Sequence, residues 1–280
     1  MDDLTAEEKV FHASPVLLAP VAASLIISVI CASLILVSEV GFPSVTPLPD
    51  VGLGPIANAA IFVVLTGIGA SVIYFFLKRK KRWLIRFLTG FAITVVMFFL
   101  SNVYLWMLFS LLNVANVELL ALVNAILVTV VVDFELFAFH NVGGEVIILG
   151  LGGSLGTFLG ASIPTFSAVL ILLFLAAYDI VAVFRGPVGK IAASEGLVYL
   201  RGLSFSFRDI QMGLGDLTFY SMLVGHAWIF FGVWASLGGI VGVLAGSFLS
   251  FKMLERKGMF PGLPFSILLG LLGVFAIAAL

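Results

Sequence analysis

Two acids in this sequence are placed where acids are costly. Asp179 and Asp216 each lie inside a long apolar run, and an ionised carboxylate in hydrocarbon costs at least about 2.5–3.5 kcal/mol, so each is a functional candidate from the outset. Asp179 follows Tyr178, and Asp216 closes the stretch Gly213-Leu214-Gly215-Asp216. Two carboxylates facing one another in a dry site cannot easily both ionise, and they hold one proton between them. That state suits hydrolysis. The ionised acid takes a proton from a water as it attacks a peptide carbonyl, and the protonated acid donates to the developing oxyanion. Residue types alone do not assign the two roles.

The neighbouring residues fit the same chemistry. Water and an extended peptide must reach the acid, and Gly213 and Gly215 lower the cost of leaving helical geometry beside Asp216. A third stretch, Pro261-Gly262-Leu263-Pro264, is rigid, poor in donors and poorly helical, so it can border a cleft and offer backbone groups to a substrate strand. Tyr178 supplies a phenol able to hydrogen-bond a buried acid, or a side chain that simply packs.

The elements that must hold these residues follow from composition. With 62% hydrophobic and 10% charged residues and a mean hydropathy of +1.25, the chain is far more apolar than a soluble domain. We read an all-α polytopic membrane protein. Apolar runs at 16–37, 57–77, 84–110, 117–139, 145–163, 165–184, 211–230, 232–251 and 261–280 give about nine transmembrane helices. The loop from Gly41 to Asp50 holds Pro43, Pro47 and Pro49 and cannot continue as helix.

Of the 14 Lys and Arg, six lie at 78–86, four between Arg185 and Arg208, and three at Lys252, Arg256 and Lys257. These clusters follow the second, sixth and eighth runs. Nine spans put them on one side, which the positive-inside rule makes cytoplasmic, with the N-terminus inside and the C-terminus outside. The chain then reads as one membrane domain over 1–280: six helices with the first acid over 1–184, a cytoplasmic loop at 185–210, and three helices with the second acid over 211–280. The acidic N-terminus lacks the basic start of a cleaved signal, so the first run is expected to be retained. At a rise of 1.5 Å per residue from Arg185 and Arg208, Asp179 and Asp216 lie about 9 and 12 Å below the same boundary.

Tyr178-Asp179 in a sixth helix, Gly213-Leu214-Gly215-Asp216 in a seventh and Pro261-Gly262-Leu263 opening a ninth resemble the three signatures of the presenilin and signal peptide peptidase family of intramembrane aspartyl proteases. The likeness spans the whole nine-helix layout. Gly262 stands where the family usually has alanine. Pro264-Phe265-Ser266-Ile267 and the cytoplasmic side of the 185–210 loop resemble the presenilin branch, and the shortness of that loop resembles a compact microbial homologue in a cell membrane. The resemblance implies Asp179 and Asp216 as catalytic pair, with Tyr178, Gly213, Leu214, Gly215, Pro261, Gly262 and Leu263 supporting substrate and site. It also implies single-pass transmembrane helices as substrates within the lipid bilayer, and leaves open whether the chain acts alone or as a homo-oligomer.

Other readings compete. A proton- or ion-coupled transporter can use the same buried acids, with glycine-interrupted helices as its binding site. Gly152-Gly153-Ser154-Leu155-Gly156 matches a serine-nucleophile pattern, with His226 as a conceivable base, but Ser154 sits in a glycine ladder rather than at a strand-to-helix turn. That ladder, Gly152, Gly156 and Gly160, and a second at Gly238, Gly242 and Gly246, read as close helix packing. His12, His140 and His226 lack metal-ligand spacing, and with only Cys31 we expect no metal and no cofactor. Nothing points to nucleic acid. Asp133, Glu135 and Glu118 are expected at the outer interface.

Overall fold

Pro20, Pro55 and Pro264 each stand in the first turn of a helix, where the missing amide hydrogen costs nothing. The computed structural model describes residues 12–138, 142–186, 204–207 and 210–279. Among these, a 3₁₀ turn at Pro15–Leu18 precedes nine helices: α1 Ala19–Ser38, α2 Gly54–Lys78, α3 Arg82–Leu111, α4 Val117–Ala138, α5 Val142–Ser162, α6 Thr165–Phe184, α7 Leu214–Phe230, α8 Val233–Lys257 and α9 Leu263–Ala278. The chain is an all-α polytopic membrane protein, and seven of these helices are long and apolar enough to cross a bilayer. His140 and much of the 185–210 loop, including Arg208, lie outside the described residues.

The two shortest of the nine helices are the informative ones. At 17 and 16 residues, α7 and α9 are about 26 and 24 Å long, less than the hydrocarbon thickness. Each is preceded by non-helical chain, which takes up the remaining depth. Before α7 this is an antiparallel hairpin, β1 Ser204–Phe207 with β2 Ile210–Gly213, in register Ser204 opposite Gly213 and Phe207 opposite Ile210. The run at 211–230 is therefore helical only from Leu214. The helical rise does not apply between Arg208 and Asp216, and the 12 Å depth for Asp216 falls with it. Non-helical backbone of this kind is tolerated in a membrane protein where protein or a cavity surrounds it.

Helix α7 is the axle. It is buried nearly all round, from Leu217 and Thr218 through Tyr220 to Ala227, as expected of a central rather than an amphipathic helix. Its neighbours approach closely because α5 is smooth. A Cβ on Gly152 would stand 2.8 Å from Leu217 Cβ, one on Gly156 would collide with the Thr218 carbonyl, and one on Gly160 would stand 2.7 Å from the Met222 carbonyl. The second ladder, Gly238, Gly242 and Gly246 on α8, meets the backbone of α9 at Gly273, Leu269 and Phe265. Hydroxyls complete the seam: Ser28 donates to the Ser221 carbonyl at 2.9 Å, and Thr157 donates to Ser28 Oγ at 2.8 Å, linking α1, α5 and α7. Interhelical bonds of this kind contribute about 0.6 kcal/mol each.

The far end of α6 is fixed from the loop after α1. Asp50 accepts from the Phe166 and Ser167 amides at 3.1 and 2.8 Å and from the Ser167 hydroxyl at 2.6 Å, capping α6 in trans. Asn58 ties the same loop by bonds to both backbone groups of Leu48, at 3.0 and 2.9 Å.

One expected location is corrected. Thr94, in the half of α3 nearer the basic turn, donates to Asp133 at 2.6 Å, and Glu135 lies against Gly143 at the opening of α5. The opposite end of α5, Ser162, accepts from Val45 in the loop after α1. Asp133 and Glu135 thus sit toward the face carrying Lys78–Arg86, since antiparallel passes return the end of α4 there.

Candidate active site

Asp179 occupies the last two turns of α6, and Asp216 the first turn of α7. The helix starts explain why carboxylates can stand here. The first amides of a helix have no intrahelical acceptors and form the positive end of its dipole. Asp216 reaches back to the Gly213 amide at the N-cap of its own helix, the acidic half of a capping box. Asp179 caps a different helix: its Oδ2 accepts from the Leu263 amide at 3.1 Å, and the Gly262 amide also faces it.

Both acids converge on Gly262. Where Asp179 takes its amide and the next, Asp216 occupies the space a side chain would need: a Cβ on Gly262 would stand 3.3 Å from Asp216 Oδ2 and 3.3 Å from the Tyr220 hydroxyl. The two carboxylates are close enough for the charge of Asp179 to act on Asp216. Pro261 and Leu263 are buried on either side of this glycine, and Gly258 at φ 70 ends α8 so that the chain turns into the motif.

The carbonyl of Gly262 is held with equal care. Tyr220, fully buried, donates to it at 2.9 Å, Ser266 at 3.1 Å and Ser250 at 3.3 Å, and Ser247 bonds Ser266 at 3.0 Å. Hydroxyls from α7, α8 and α9 therefore fix the peptide whose amide side meets Asp179. This pins the motif without placing a second charge in the site.

Of the residues expected around the pair, the structure brings Gly213, Pro261, Gly262 and Leu263 to it. Gly215 is exposed beside Asp216, with Phe219 the one side chain near it among the described residues. Leu214 is a packing residue, buried with Phe205, Leu136 and Ile148. Tyr178 makes no hydrogen bond to either acid among the described residues. It lines a cleft of about 970 Å³ between α2 and α6, its hydroxyl about 3.5 Å from where a Cβ on Gly67 would stand. The serine alternative does not assemble. Ser154 Oγ bonds the Gly150 carbonyl of its own helix, while His226 is engaged at Gly160 and Thr165, at 2.7 and 3.1 Å.

Tyr220, Ser250, Ser266 and the hairpin are additions. Tyr220 stands four residues after Asp216, on the same helix face, and Ser204-Phe205-Ser206-Phe207 alternates with strand period; both signals are in the sequence.

The architecture matches solved structures. One described as a presenilin family intramembrane aspartate protease, in a C222 crystal form, superposes with a TM-score of 0.66 over 94% of this chain and 98% of that one, at 22% identity. A P2 form described in the same words gives a TM-score of 0.63 over 95% and 96%, at 21% identity. No protein-family model matches the sequence, and no curated protein matches it. The chain shares the fold of these proteases.

Proposed function

We propose that this chain is an intramembrane aspartyl protease of the presenilin type, hydrolysing a peptide bond of a single-pass transmembrane segment with Asp179, Asp216 and a water. The observation that carries the reading is the meeting of both acids at Gly262, at the start of the short helix α9. One ionised acid deprotonates the water, the other protonates the carbonyl oxygen, and the pair returns to its starting state after the amine leaves. Orientation by a fixed backbone is how such a site lowers its barrier, since reacting groups held in near-attack geometry need no further ordering.

A helical substrate hides its carbonyls in its own hydrogen bonds, so it must unwind to be cut. The chain offers suitable partners. The hairpin is two-stranded, so each strand has an edge unpaired by a strand of the described residues, and β2 runs directly into the helix that carries Asp216. An unwound substrate segment adds to such an edge through main-chain bonds. In this reading the basic loops face the cytoplasm of a microbial cell, and 1–184, 185–210 and 211–280 are the first-acid half, the connector and the second-acid half of one domain.

The test is cleavage of a synthetic single-pass peptide by purified protein in detergent, with products identified by mass. Asp179→Asn and Asp216→Asn each lower the rate by about 10²–10⁴ while helical content is unchanged. Undiminished cleavage by either variant overturns the assignment. The transporter reading predicts no peptide products from the wild-type protein.

A further inference from the structure

The turn from α2 to α3 holds six of the chain's 14 Lys and Arg: Lys78 to Arg82 in succession, and Arg86. All six are exposed. Among the described residues, no carboxylate lies within 4.0 Å of Lys78, Arg79, Lys80, Lys81 or Arg86. These five cations therefore have no salt-bridge partner among the described residues.

The turn is a built structure. Lys80 sits at φ 55, in the left-handed region. Its amide donates to the Leu77 carbonyl at 2.9 Å, and the Lys81 amide to that of Phe76 at 3.0 Å. That is the double closure of a helix end at which glycine is the usual residue. Below it, Ile85 is fully buried against Ile73, Tyr74, Phe76 and Leu77. Backbone and core therefore fix where the cations stand. Trp83, Phe87 and Phe91 continue down α3 as an exposed stacked ladder, with centroids 5.8 and 6.3 Å apart, and an aromatic of this kind beside basic residues anchors a turn at headgroup level.

An apolar space begins beside this charge. The Arg79 guanidinium stacks 5.1 Å over the Phe75 ring. Phe75 in turn lines the α2–α6 cleft of about 970 Å³, whose walls include Val64, Ile68, Val72 and Tyr178. The volume is at the upper end of small-molecule sites, and the lining is almost wholly apolar. A ligand that satisfies both features carries a negative headgroup and a long hydrocarbon chain.

We infer that the α2–α3 turn and the α2–α6 cleft form a binding site for an anionic phospholipid, with its headgroup on Lys78, Arg79, Lys80 and Lys81 and an acyl chain between α2 and α6. The occupant comes from the leaflet on the basic face, where each Lys or Arg near an anionic surface adds to the attraction. Because Tyr178, next to Asp179, is part of the cleft wall, the bound chain lies beside the candidate pair. Binding is measured without reference to cleavage, so the inference stands apart from the proteolytic reading.

The test is native mass spectrometry of the full chain in detergent, titrated with phosphatidylglycerol and, separately, phosphatidylcholine of equal chain length. The wild-type protein is expected to retain the anionic lipid about tenfold more strongly or better. Replacing Lys78, Arg79, Lys80 and Lys81 together by Gln removes the preference, and Ser71→Trp, which fills the cleft, lowers retention of both lipids. Replacing Lys252, Arg256 and Lys257 by Gln leaves the preference intact. An unchanged preference in the fourfold variant overturns the inference. So does displacement of the lipid by glycerol phosphate alone, which would mark a site for free phosphate. If the fourfold variant does not fold, Arg79→Gln and Ser71→Trp decide the matter singly by the same readout.

Discussion

Replacing Gly262 tests the geometry of the site at the residue where both acids meet. The added Cβ of Gly262→Ala would stand 3.3 Å from Asp216 Oδ2, 3.3 Å from the Tyr220 hydroxyl and 3.5 Å from Asp216 Cγ, so Asp216 must give by a few tenths of an ångström. Overpacking of this size costs roughly 1 kcal/mol. Against it, Gly262 lies at φ −79 and ψ −39, a conformation any residue adopts, so alanine stabilises by about 0.4–1 kcal/mol through the unfolded chain. The two terms nearly cancel, and Tm is expected to move by less than about 4 °C. Activity responds differently. If a 1 Å misplacement costs about 10²-fold, a shift of about 0.3 Å costs about fourfold. Gly262→Val adds two further methyls where one is already tight, and is expected to lower cleavage by about 10²-fold or more. The assay is peptide cleavage in detergent beside thermal unfolding of the same samples. A folded Gly262→Val protein cleaving within tenfold of wild type refutes the convergence of the acids on this glycine.

Four further outcomes follow from the same contacts. Tyr220→Phe removes one of three hydroxyls on the Gly262 carbonyl, so unfolding changes by only about 0.5–1.5 kcal/mol while cleavage falls severalfold; an unaltered rate would detach Tyr220 from the site. Gly156→Val drives a side chain into the Thr218 carbonyl and Ser221 and is expected to destabilise the α5–α7 seam by about 3 kcal/mol or more, read as a lower Tm. Lys80→Gly relieves the left-handed backbone at φ 55 and is expected to stabilise by about 1 kcal/mol. The rate of cleavage against pH is expected to be bell-shaped, because both the doubly ionised and the doubly protonated pair are inactive; a flat profile from acid to neutral pH contradicts proton sharing.

The membrane architecture is legible in the sequence because hydrocarbon imposes a length on each apolar run and the basic clusters punctuate them. The pairing of Asp179 with Asp216 is legible for a related reason, since an intramembrane acid is costly enough to mark itself. Contacts made only in the folded chain are not. The first strand of the hairpin is marked by its alternation, but the second is hidden because Met212 and Leu214 are apolar in either conformation, so it runs unmarked into the helix. Helix α8 runs to Lys257, six residues past the apolar run, before Gly258 stops it, and on this extension Lys252 lies 5.1 Å over the Phe248 ring, as an amphipathic side chain does at an interface. The misplacement of Asp133 is one of side: antiparallel passes return the end of α4 to the basic face, and its bond to Thr94 belongs to the α3–α4 packing there. The hydroxyl cluster on Gly262 joins α7, α8 and α9, and no local pattern connects Tyr220 with Ser250 and Ser266.

The central claim is that Asp179 and Asp216 act as one unit. The most direct measurement is the affinity of a peptide mimic carrying a hydroxyl isostere of the tetrahedral intermediate, for wild type, Asp179→Asn, Asp216→Asn and the double variant. Groups that work as a pair are strongly non-additive. Each single change is expected to weaken binding by at least about tenfold, and the double change by no more than either alone. Additive losses, or tight binding that survives one of the single changes, would contradict a shared site.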